Sequence, residues 1–370
     1  MSLIDEAGPQ HATSVLSIDL GAVKSNYKLL AKRAKKAVCA AVVKANGYGL
    51  GAEQVAQALT EAGCTTFFVA TLDEAIALRA VQPGAIIYYL NGLMPGETDA
   101  CAEYNIRPVL NDPGQLDRWA GFRFEKGVPP AALQIDTGLS RLGLTPKETE
   151  QLIAAPERLA NIDIDLVISH LACGDTPDHP LNKQQRDAFA KTTGLLPVAK
   201  RSLAASSGIF LGAAWHFDMV RAGAALYGVT PNREKPNPMA QVVHLQAKIL
   251  QVRDVDTPQT VGYGATRRIT GPTKVATVAA GYADGLPRSL GNEGTAYIGK
   301  IAAPVIGRVS MDLMTLDISD VPDAKPGDMV DLIGPLNDPD MDAEAAGTIG
   351  YEILTRLGRR YRRRYIETAA

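Results

Sequence analysis

A lysine closes an apolar run in the stretch Val42-Val43-Lys44-Ala45-Asn46-Gly47-Tyr48-Gly49. An amine fixed at a strand end before a Gly-rich turn can form a Schiff base with a carbonyl, and a tyrosine four residues on can reach a phosphate. Both features suit a cofactor that carries both groups, pyridoxal 5'-phosphate. Asp136, His170, Ser207 and Arg221 each sit at or just past the end of a different apolar run, so they can converge with Lys44. Plainer readings compete at each position. Lys44 alone fits a solvated strand end equally well. His170 alone suits a satisfied structural histidine better than a catalytic one. Ser206-Ser207-Gly208 reads as a turn or as a nest of amides and hydroxyls for a phosphate, and Tyr351 alone as a core or interface tyrosine.

These side chains need a frame, and the chain supplies one. Apolar β-type runs occur at 38–43, 66–70, 85–90, 106–110, 133–136, 165–170, 202–206 and 218–221, with helical spacing at 51–62, 72–80, 145–160 and 182–200. Eight β/α units in roughly 200 residues suit a closed parallel barrel, and no GxGxxG follows the first run to favour an open dinucleotide-binding sheet. After Gly228, Pro231, Pro236 and Pro238 mark a linker. Beyond it, β-type runs at 242–252, 274–279, 296–298, 305–306, 314–318 and 329–333 are separated by Gly, Pro and Asp. The expected fold class is therefore α/β: an N-terminal (β/α)8 TIM-like barrel over 15–240 plus a C-terminal mostly β domain over 241–370. A further strand over about 12–18 precedes a helix at 20–36 and belongs to either unit.

Composition narrows the partners. The chain has 370 residues, 46% hydrophobic and 21% charged, enough for a large core and two domains. A formal net charge of −2 gives no electrostatic case for nucleic acid or membrane surfaces, so a small-molecule partner is expected. Cys39, Cys64, Cys101 and Cys173 form no CxxC pair and no metal-type spacing, which reads as free thiols in a reducing compartment and no metal site. The first 14 residues contain Asp5, Glu6 and Pro9 without an apolar h-region, and no apolar stretch reaches the roughly 18 residues a membrane span needs. A soluble cytoplasmic protein is the expectation.

The string AVVKANGYGLG resembles the cofactor-lysine motif of the alanine racemases. It is joined in the family's order by IDTGLSRLG, ISHLA, MVRAGAALYG, VGYGAT, AGYADGLPR, GRVSMD and TIGYEILTRLG, from residue 18 to 364. The resemblance implies that Lys44 carries pyridoxal 5'-phosphate and acts as base on one face, with Tyr263 as base on the other. Two bases suit racemisation, because a single rigid base would mostly return the proton to the face it left. Arg221 matches the arginine that faces the pyridine nitrogen, with His170 as a relay between Arg221 and Tyr263. Tyr48, Ser207, Tyr351 and the amides of Gly223 and Ala224 match phosphate-binding positions.

By the same resemblance Arg141 steadies the substrate carboxylate, while Met311 and Tyr282 line the inner pocket and entrance and leave room for little beyond a methyl group. The family places the second tyrosine in the partner subunit, so a homodimer with shared active sites is implied. One departure is Gln134, where many members carry a carbamylated lysine that orients the arginine. A glutamine cannot form a carbamate, so Arg141 is expected to be held by an amide hydrogen bond or an anion. The implied function is interconversion of L- and D-alanine, for peptidoglycan supply or alanine catabolism. The alternatives are a decarboxylase of the same scaffold, a broader amino-acid racemase, and a single-barrel cofactor carrier. Against the decarboxylase stands Arg221 in place of a carboxylate, and against the carrier stand Tyr263 and the second domain. The arginine-rich stretch 357–365 reads as a solvated terminal segment or a dimer contact rather than a nucleic-acid site.

Overall fold

The computed structural model describes residues 2–125, 127–197 and 200–368. All eight expected runs of the first half contribute a parallel strand, and most of their positions are buried, so apolar residues dominate them although Arg107, Asp165 and Arg201 interrupt the pattern. Around the sheet they run Met219–Ala222, Val38–Val42, Thr66–Val69, Ile86–Tyr89, Arg107–Leu110, Ala131–Gln134, Ile164–Ile168 and Arg201–Ser202. A bridge between Ala205 and Arg221, with the Arg221 amide donating to Ala204 O at 2.9 Å, closes the ring. Helices follow the strands on the outside. One of them, Leu72–Val81, starts with a capping box in which Thr71 and Glu74 satisfy each other's backbone amides. The helix expected over 182–200 spans Pro180–Thr193, and residues 198 and 199 lie outside the described residues.

The second unit is a nine-stranded sheet organised on one long strand, Val243–Val255. Its first half pairs with Ser14–Asp19 on one side and Met329–Ile333 on the other, while its second half pairs with Thr273–Val278. The early strand therefore belongs to the β domain. It leads directly into the helix Leu20–Ala34, capped by Asp19, whose oxygen accepts from Ala22 N at 3.1 Å. Asn26 on that helix is buried and bonds Leu226 O and Ala240 O, so it ties the barrel's end to the linker.

Residues 305–306 make only a bridge to Leu316, and the short hairpin Gln259–Val261 with Arg267–Ile269 was not legible in the sequence. The arginine-rich stretch differs more. Rather than a solvated tail, Arg362–Glu367 is a strand between Ser2–Ala7 and Ser14–Asp19. Its arginines are half-buried around a buried Tyr365, and the Arg363 guanidinium donates to Gly49 O at 2.7 Å, Gly358 O at 3.2 Å and Leu357 O at 3.3 Å.

Candidate active site

Lys44 follows the first barrel strand and opens an unusual turn. Ala45, Asn46, Gly47 and Tyr48 all have φ between 52° and 62°. This is one turn of left-handed helix, which costs about 1–2 kcal/mol for each non-glycine L-residue held in it. Bonds from Gly47 N to Val43 O at 2.8 Å and from Gly49 N to Ala45 O at 2.7 Å close it, and Asn46 Oδ1 accepts from Ala52 N at 3.0 Å. Glu74 accepts from Ala45 N at 2.6 Å. The Lys44 amine is held below the usual lysine range, first by burial and then by the positive field of Arg141 and Arg221, with Glu74 opposing. A depressed amine pKa is what a lysine needs to act as nucleophile or base.

Arg221 occupies the last barrel strand and is buried, with no carboxylate paired to it among the described residues. Its Nη1 donates to Ser202 O at 2.8 Å and Ser202 Oγ at 2.7 Å, and its Nη2 to Ser169 O at 2.6 Å and to His170 Nδ1 at 3.4 Å. Burial lowers its pKa to about 10, so it stays charged at neutral pH. His170 is pushed down to about 3 by burial, then by Arg221, Arg141 and Lys44, and is therefore a neutral acceptor toward Arg221.

A second cluster lies beside the turn. Tyr48 is buried, stacks on Tyr227 at 4.6 Å, and lies 6.2 Å from Tyr351. Burial raises the pKa of both tyrosines, with Ser207 opposing it at Tyr351, so both phenols stay neutral. Ser206 Oγ accepts from Gly223 N at 2.9 Å and Ala225 N at 3.2 Å, so the Gly223 amide expected to serve a phosphate is already bonded within the chain, while the Ala224 amide has no partner among the described residues. A Cβ on Gly223 would stand 2.6 Å from Tyr48 Oη, so the space between them exists because residue 223 is glycine.

Tyr263, Tyr282 and Met311 are not brought to the barrel cluster. They sit on β-domain loops and are 72%, 38% and 54% exposed. The loops interlock: Tyr282 N donates to Ser310 O at 3.0 Å and Ala283 N to Met311 O at 2.9 Å. Gly264 packs on the Arg308 side chain. Arg360 then bridges buried Asp284 at 3.0 Å and Asp312 at 2.6 Å, fixing the Tyr282 and Met311 segments to each other.

Two family descriptions divide the chain between them. Alanine racemase, N-terminal domain, matches residues 18–231, and alanine racemase, C-terminal domain, matches 242–365. The chain belongs to the alanine racemase family. An alanine racemase of Rhodospirillum rubrum is 51% identical over 359 residues, covering 96% of both chains. A relative from Agrobacterium fabrum, named as a catabolic alanine racemase, is 49% identical and covers 96% of this chain and 93% of its own. The crystal structure of the Bartonella henselae alanine racemase, with covalently bound pyridoxal phosphate, superposes with a TM-score of 0.92 at 42% identity. It covers 96% of this chain and all of that one.

Within this alanine racemase chain, Gln134 and Arg141 stand differently from the expectation of a direct bond. Gln134 Nε2 donates to Leu142 O at 3.0 Å, so it holds the backbone beside Arg141. Asp136 accepts the amides of Gly138, Leu139 and Ser140, shaping the loop from its other end. Sequence reasoning did not select Glu74, Ser202 or Arg360. Only Glu74 carried a readable signal, the Thr71-x-x-Glu74 capping box, and that signal points to a helix start rather than to Lys44.

Proposed function

We propose that this chain racemises alanine with pyridoxal 5'-phosphate, using Lys44 and Tyr263 as bases on opposite faces. The observation that carries this reading is the convergence of Lys44, His170 and Arg221 beside a separate donor cluster suited to a phosphate. That cluster fits the cofactor: Tyr48, Ser207, Tyr351 and the Ala224 amide supply donors, and Gly223 keeps the space open. When bound, the cofactor supplies an electron-withdrawing ring that acidifies the α-hydrogen of an attached amino acid.

The remaining work falls to the chain. Arg221, still protonated at neutral pH, cannot give a proton to a ring nitrogen set against it, which limits electron withdrawal and favours simple proton return. Arg141 would hold the substrate carboxylate with its fork of donors. Lys44, with its depressed pKa, takes or returns the α-proton on its own side.

The exposure of Tyr263, Tyr282 and Met311 on one interlocked group of loops supports their donation to a second copy of the chain. In that arrangement Tyr263 Oη serves the opposite face, and Tyr282 and Met311 restrict the pocket to a small side chain. Buried free thiols at Cys39, Cys64 and Cys101 support a reducing, cytoplasmic setting.

The test is to follow loss of optical rotation from L-alanine and D-alanine in purified protein. Lys44→Ala should lose both the yellow colour and the activity. Tyr263→Phe should lose activity by about 10²–10⁴-fold, the typical worth of a positioned acid or base. Unimpaired racemisation from both enantiomers in Tyr263→Phe would remove the two-base reading.

A further inference from the structure

We propose that Glu74 is a positioning residue for Lys44, fixing the left-handed turn on which the lysine is mounted, an inference that rests on the reading of Lys44 as cofactor lysine. Glu74 lies 30 residues along the chain from Lys44, on the helix after the second barrel strand. Its Oε2 serves its own helix start, accepting from Ala70 N at 2.8 Å and Thr71 N at 3.3 Å. Its Oε1 leaves that local pattern and accepts from Ala45 N at 2.6 Å. One carboxylate thus joins the ends of two adjacent barrel strands, Val38–Val42 and Thr66–Val69.

The bond falls where orientation is decided. The Ala45 amide belongs to the peptide plane that begins at Lys44, so holding that amide fixes the direction in which the lysine side chain leaves the backbone. Ala45 is also the first residue of the left-handed turn, at φ 52° and ψ 48°, a conformation alanine does not keep unaided. Arg363 Nη1 holds the far end of the turn by donating to Gly49 O at 2.7 Å, whereas Glu74 holds its start. A charged acceptor on a backbone amide is among the stronger hydrogen bonds available for such a purpose.

The same carboxylate has an electrostatic consequence. The charged and titratable groups facing the Lys44 amine are Arg141, Arg221, His170 and Glu74. Two are cations and His170 is neutral, so among the described residues Glu74 is the anion that moderates them.

Three full-length, cofactor-loaded variants test this. Glu74→Gln removes the charge and half of the acceptor capacity, Glu74→Asp keeps the charge but withdraws it by one methylene, and Thr71→Ala breaks the same capping box while leaving the Ala45 bond. The readouts are the rate at which yellow colour is lost on dialysis and the acid limb of the pH–kcat profile. Glu74→Gln should release cofactor about tenfold faster or more and shift the acid limb to lower pH, because losing the anion lowers the amine pKa further. Glu74→Asp should release cofactor faster with the acid limb in place, and it carries the test if Glu74→Gln does not fold. Thr71→Ala should reduce thermal stability alone. Wild-type release from both Glu74 variants, or equal effects from Thr71→Ala, would overturn the proposal. Retained colour in Lys44→Ala would instead overturn the lysine reading beneath it.

Discussion

At the scale of single residues, the site is controlled by who is charged and who is not. His170 has its pKa depressed from 6.5 to about 3, so the folded chain resists a proton that the unfolded chain accepts. The stability this gives is fully present above about pH 6.5 and is lost as the pH falls toward 3, by about 1.4 kcal/mol per unit. His170→Gln should flatten that part of the acid-denaturation curve, measured by urea unfolding at stepped pH. An unchanged slope would mean that His170 protonates freely in the fold. Gln134 makes a different kind of prediction. Gln134→Leu removes the donor to the Leu142 carbonyl, a part-buried hydrogen bond worth about 0.5–1.5 kcal/mol, and frees the loop that carries Arg141. KM for alanine should rise more than kcat falls, since the carboxylate grip is shared by ground and transition states. No carbamate can form at Gln134 itself, so the intact mass should show none at this position.

At the scale of elements, two glycines test how the cofactor turn is seated. At Gly223 an alanine Cβ would meet Tyr48 Oη at 2.6 Å. Gly223→Ala should therefore weaken cofactor binding by tenfold or more, roughly 1.4 kcal/mol, while far-UV circular dichroism and melting stay near wild type. Gly49 has φ 84°, and its Cβ would stand 2.5 Å from Leu354 O, so Gly49→Ala should lower both melting temperature and cofactor retention. Parallel outcomes in the two variants would show that the turn and the phosphate cluster are not separable.

These elements also show what the sequence could convey. The barrel strands were legible because burial of most positions writes a mainly apolar run, as in Val167 and its neighbours. The strand Arg362–Glu367 was not, because guanidinium groups hide a half-buried pattern, and neither was the exposed hairpin at 259–269. The motif strings pointed to Lys44, Arg221 and Tyr48 directly. Glu74 stayed hidden, since its bond to Ala45 depends on two strands lying side by side, a contact no local pattern records.

At the scale of the whole molecule, the exposed loop group bearing Tyr263 predicts complementation between inactive chains. Mixing Lys44→Ala with Tyr263→Phe subunits should create dimers with one intact site and one doubly damaged site. Random exchange gives half of the dimers this composition, so activity should recover to about a quarter of wild type. No recovery despite demonstrated subunit exchange would place both bases on one chain. The β domain has a further consequence, for the order of synthesis. Strand Ser14–Asp19 lies between Val243–Val255 and Arg362–Glu367, so its neighbours leave the ribosome more than 200 and 300 residues after it. At about 5–20 residues per second that is a delay on the order of tens of seconds, during which the barrel can form but the sheet built on Val243–Val255 cannot. A nascent chain is thus obliged to keep an apolar strand edge in waiting, and this is where a chaperone holding newly made protein should be found.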